Sequence, residues 1–86
     1  MKEKRADSIS EVDMRGLFMP VIAVYEHPED FPDKYVARVF DVGQPTDTVV
    51  IKDSLLDIQR DIGENTCRIF VPRGAEDVRS LVGVWV

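Results

Sequence analysis

The sequence predicts an α+β domain: a mainly antiparallel five-stranded sheet in the order β-β-β-α-β-β, with one short helix packed on one face. Three observations carry this. Short stretches rich in Val, Ile, Tyr and Phe are separated by turns containing Gly, Pro, Asn and Asp. The hydrophobic period changes once, at Ser54, from two residues to 3.6. The connections between most of the strands are of hairpin length, which favours antiparallel neighbours.

The centre of the pattern is Thr46 to Gly63. Thr48-Val49-Val50-Ile51-Lys52 alternates as a half-buried strand, and its β-branched residues suit a pleated surface. Leu55, Ile58 and Ile62 then form one helical stripe. Ser54 is placed to cap this helix, with Asp57 three residues on in the capping-box position. Gly63 fits the left-handed residue that closes many helices, so the helix is expected over Leu55 to Ile62. So short a helix is stable only when its stripe lies on a sheet.

Before this unit, residues 1–18 mix charges around a weak stripe of Ile9, Val12 and Leu17. Ser8 with Glu11, or Ser10 with Asp13, is a possible helix start, but the segment reads as a mobile tail, leaving residues 19–86 as the single domain. Met19 to Tyr25 is a continuous apolar run and reads as the first strand. Glu26 to Asp33 holds two prolines and four acids and reads as a loop. Lys34 to Val42 is the second strand, apolar on both faces, and Gly43-Gln44-Pro45 is the turn into the third. After the helix, Thr66 to Val71 is the fourth strand. Pro72 to Asp77 is a turn, and Leu81 to Val86 is the fifth strand. The alternation of Val82, Val84 and Val86 with Leu81, Gly83 and Trp85 suggests that the valine face meets the helix stripe. Trp85 then lies opposite with Phe70 and Phe40, on a face covered by the N-terminal segment or by a second subunit.

Composition restricts the function classes. The 86 residues suit one small core, with 44% hydrophobic and 31% charged residues. A net charge of −5 disfavours a general nucleic-acid binder, whose affinity comes mostly from phosphate neutralisation. One cysteine permits no internal disulfide and suits a reducing, cytoplasmic setting. No apolar run reaches the length of a membrane span.

Candidate chemistry is sparse. Glu26, His27, Glu29, Asp30 and Asp33 are acidic enough for a cation. The loop lacks the glycine and ligand spacing that a hard cation demands, so it reads as a solvated loop and no metal is expected. His27 is the only histidine, which rules out a histidine-based triad or zinc set within one chain. Cys67 reads as a small buried hydrophobe. Arg68, Phe70, Arg73, Arg79 and Trp85 form the candidate interaction face, either packing against protein or stacking RNA bases. There is no phosphate loop or nucleophile elbow, and no cofactor is expected.

Residues 20–62 resemble the N-terminal half of HicB-type antitoxins. The likeness lies in the apolar strand ending at Tyr25, the acidic turn, the strand Tyr35-Val36-Ala37-Arg38-Val39 and a third segment leading to a capped helix. Ser54-Leu55-Leu56-Asp57 is similar to that family's Thr-Leu-Glu-Glu helix start. The family's Gly-Cys pair, the alanine after its acidic pair and its C-terminal DNA-binding module have no counterpart. The resemblance implies dimerisation and a small ribonuclease toxin as partner, and it assigns no functional residue. The chain also looks like short bacterial or phage-derived domains. The expectation from the residues themselves is a cytoplasmic, non-catalytic domain that acts by binding a protein partner or itself, with an RNA-contacting module as the alternative.

Overall fold

A computed structural model describes residues 4–75 and 78–86. The fold is α+β with one helix, but the sheet has six strands and is mixed. In chain order the elements are β1 (Lys4–Ala6), a 3₁₀ turn (Ile9–Glu11), β2 (Pro20–Glu26), β3 (Tyr35–Asp41), β4 (Gln44–Lys52), α1 (Leu55–Asn65), β5 (Phe70–Pro72) and β6 (Leu81–Trp85). The strands lie side by side in the order β1-β4-β3-β2-β6-β5. Every neighbouring pair is antiparallel except β1 with β4, which is parallel. The five-stranded antiparallel expectation is corrected by β1, which lies in the segment taken for a tail. Its sequence, Lys4-Arg5-Ala6, shows no apolar alternation because it is a short edge strand bonded on one side only.

The helix forms where its local signals place it. Ser54 is in the extended conformation and its hydroxyl accepts from the Asp57 amide at 3.1 Å. The helix runs past Gly63 to Asn65, and the Thr66 hydroxyl donates to the Ile62 carbonyl at 2.8 Å. Gly63 is therefore an interior residue and not the closing one. Ile58 and Ile62 are fully buried on a floor of Ile22, Val24, Ala37, Val39 and Val50.

Ile9 joins this core at 3% exposure, with Val12, Met14 and Leu17 packed around it. The 3₁₀ turn is capped by Ser8, as the spacing with Glu11 suggested, and it is tied to α1 through Asp61. That carboxylate accepts from the Ser8 hydroxyl at 2.5 Å and from the Ile9 amide at 2.7 Å. Residues 9–17 thus complete the helix-side layer, and residues 4–6 extend the sheet. Residues 1–3 of the expected tail, and Glu76 and Asp77 of the expected turn, lie outside the described residues.

The last strand is turned over relative to expectation. Ile22 pairs with Trp85 and Val24 with Gly83, so Trp85 lies on the helix side. A register shift between Val24 and Tyr25 brings Val82 to the core as well, while Val84, opposite Ala23, faces away. The Trp85 indole donates to the Gln59 Oε1 at 2.9 Å and packs beside Phe70, with ring centroids 5.4 Å apart. Gly83 permits this: a Cβ there would meet the Phe70 ring and the Val71 carbonyl oxygen, each at 2.5 Å. Phe70 and Trp85 share a face as expected, whereas Phe40, paired with Val21, is on the other.

Candidate docking face

The side of the sheet away from α1 presents Val21, Ala23 and Tyr25 from β2, Val36, Arg38 and Phe40 from β3, and Val49 and Ile51 from β4. Strand alternation sets this: each is one residue out of phase with the core set Ile22, Val24, Ala37, Val39 and Val50. Two halves of this face differ.

The β3–β4 half is covered by the loop between β2 and β3. His27, at φ 47, starts it, and its ring packs edge-on against Tyr35 with Nδ1 2.7 Å from the Pro32 carbonyl oxygen. Internal bonds from the Phe31 amide to the Pro28 carbonyl and from the Lys34 amide to the Phe31 carbonyl make it compact. Asp30 pairs with Arg38, and the Arg5 guanidinium lies 4.9 Å from the centre of the Phe31 ring. Because Arg5 and Arg38 both flank Val49 in the register, these contacts fold the loop down onto the sheet. Val36 and Val49 are consequently fully buried although no helix covers them.

Among the described residues, no loop folds over the β2–β6 half, whose side chains are half-buried, with Ala23 at 4% exposure. Val21, Ala23, Tyr25, Phe40, Leu81 and Val84 line a groove of about 280 Å³, with Gly43 at one end. Its walls are apolar apart from the Tyr25 hydroxyl, whose pKa is raised by burial, with Arg38 opposing that shift. At the Gly43 end the chain turns through Val42 at φ 53 and Gly43 at φ 77, the double positive-φ geometry of a two-residue hairpin. The expected turn at Gly43-Gln44-Pro45 is therefore shifted by one residue, and Gln44 and Pro45 belong to β4. Val42, 59% exposed, is a β-branched residue in a region that suits Asn or Gly. Phe18 and Met19, also exposed, precede Val21 at the same end, their amides both donating to Asp41.

The five residues singled out from the sequence do not form one surface. Phe70 and Trp85 pack together beneath the end of α1. The half-buried Arg68 donates to the Pro20 carbonyl at 2.7 Å and approaches the Met14 sulfur, which pins residues 14–20. Arg73 and Arg79 are exposed in the connection between β5 and β6. Cys67 is exposed, contrary to expectation, because the fourth expected strand begins only at Phe70. Among the described residues, no group of three or more His, Cys, Asp or Glu side chains gathers as a cation site. The groove residues were missed because their signal is a phase, and the phase of two-sided apolar strands needs the register to resolve it. No family model, curated protein or solved structure matches the chain.

Proposed function

We propose that this chain is a small, non-catalytic interaction domain that docks a protein partner against the half of its second sheet face that the loop of residues 28–33 leaves open. The supporting observation is the apolar groove between β2, β3 and β6, on a face whose other half is closed by the chain's own loop. A polar active site needs convergent titratable groups in a cleft; this groove has one hydroxyl. The alternative of RNA stacking has little support, because the Phe70 ring is taken up by Trp85 and Arg68 by the Pro20 carbonyl. No described helix is long and apolar enough to cross a membrane. We place the protein in the cytoplasm on the strength of its single cysteine.

A photoreactive side chain introduced at Leu81, compared with one at Arg60 on the exposed side of α1, tests the docking face. The expected result is protein adducts from position 81 in cells and none from position 60. Equal labelling, or none at position 81, overturns the assignment.

A further inference from the structure

We propose that the occupant of the groove is a second copy of this chain, related by a two-fold axis that runs along the strands. This rests on the docking-face reading above and specifies its partner.

The argument is one of self-complementarity. A two-fold interface must present the same surface twice, so each raised feature needs a matching hollow across the axis. The second face has both. The loop of residues 28–33 stands above β3 and β4, held by the Asp30–Arg38 pair and by the Arg5–Phe31 contact. The groove lies beside it over β2 and β6. The raised half and the hollow half are thus neighbours across the strand direction. A two-fold rotation about an axis along the strands, placed between β2 and β3, sets the loop of each copy over the groove of the other. Any axis across the strands would instead set loop against loop.

Among the described residues, charge follows the same division. The raised half carries Glu29 and Asp33, both exposed. Arg73 and Arg79 are exposed at the far side of the hollow half, at the same end of the sheet: the Glu26 amide bonds to the Ser80 carbonyl, and the Arg73 amide to the Val82 carbonyl. The rotation brings each copy's Glu29 and Asp33 toward the other's Arg73 and Arg79, while Arg38 is paired with Asp30 of its own chain. At the Gly43 end, Val42, Met19 and Phe18 add exposed apolar surface where the groove opens.

Area sets the strength. Six strands about 4.8 Å apart and five residues long give a plane of roughly 24 by 17 Å, or roughly 400 Å². That is about half of the ~800 Å² that each partner buries in a standard interface. The association is therefore weak and concentration-dependent.

Sedimentation of the purified chain tests this. The expected mass rises from one chain toward two as concentration is raised to about 500 μM, near the millimolar end of the affinity scale. Leu81→Glu, which places a charge in the groove, should raise the dissociation constant by about tenfold or more, equivalent to losing one good apolar contact. Glu29→Arg, on an exposed loop where folding is not at risk, should weaken the dimer severalfold, and combining it with Arg79→Glu should restore it. A single-chain mass throughout overturns the two-fold pairing. So does a dimer whose dissociation constant neither Leu81→Glu nor Glu29→Arg changes. If the mass stays single while the side chain at position 81 labels a different protein, the docking face stands and the second copy is ruled out. If position 81 labels nothing and the mass stays single, both fall.

Discussion

Asp61 is the contact that decides whether residues 4–17 belong to the core. It sits half-buried on α1 and accepts from the Ser8 hydroxyl at 2.5 Å and the Ile9 amide at 2.7 Å, while Asn65 donates to the same carboxylate at 3.2 Å. Replacing it with Ala removes both bonds to the 3₁₀ turn and leaves the Ile9 amide without its acceptor. Hydrogen bonds to a charged group contribute about 1.5–3 kcal/mol each, and partial exposure puts these two near or below the low end, so the loss is about 2–3 kcal/mol. If the turn detaches, burial of Ile9 is lost too, adding about 2 kcal/mol. For a domain of this size each kcal/mol moves the melting temperature by about 4–8 °C, so Asp61→Ala should lower it by about 8–24 °C from the bonds alone. Asp61→Asn keeps one acceptor and should fall between. The assay is a thermal melt alongside amide exchange at Ile9. A drop below about 3 °C with the Ile9 amide still protected would refute the reasoning, because one kcal/mol alone should exceed it.

Four further outcomes follow from the same geometry. Val42→Asn should stabilise by about 1 kcal/mol, because Asn tolerates the positive φ that strains Val; an unchanged denaturant midpoint counts against the strain. Gly63→Ala should stabilise by about 0.5–1 kcal/mol, since Gly63 is helical and a Cβ there meets Trp85 at an ordinary 3.4 Å; destabilisation in a melt would return Gly63 to the helix end. Gly83→Ala should destabilise by about 1–3 kcal/mol, because the Val71 carbonyl oxygen 2.5 Å away is backbone and must move; a neutral urea midpoint refutes the close approach. The Asp13 carboxyl, held at a pKa of about 2 by the Arg15 side chain and amide, should titrate near that value by carbon NMR. Its folded pKa is depressed, so its contribution is present above the ordinary Asp range and is lost as pH falls toward 2; Arg15→Ala should move the titration back up.

What was legible in the sequence was local. The Ser54 cap and the Leu55–Ile58–Ile62 stripe depend on residues within one or two turns, and both are where the spacing puts them. The facing of Trp85 was not legible. Alternation fixes which residues share a side, but not which side meets the helix, and the register shift at Val24/Tyr25 breaks the alternation by one residue. β1 was not legible either. An edge strand recruited through its backbone places almost no demand on side chains, and Lys4 and Arg5 are the residues that keep such an edge from pairing further. Cys67 was misread because burial was inferred from residue type within a strand that starts three residues later.

The open groove follows from how little covering material the chain contains. A six-stranded sheet is about 24 Å wide, and each of its two faces is either covered or left to water. The 11-residue helix is about 16 Å long and about 10 Å across, enough for less than half of one face. The 3₁₀ turn, residues 12–17 and the Trp85 ring complete that side. Among the described residues, the second face is covered by the loop of residues 28–33, which reaches β3 and β4. Val21, Ala23, Tyr25, Phe40, Leu81 and Val84 remain apolar all the same. A surface meant for water alone would tolerate Thr, Lys or Glu at those alternating positions. Six apolar side chains on a half that no described segment folds over are the observation on which the proposed docking face rests.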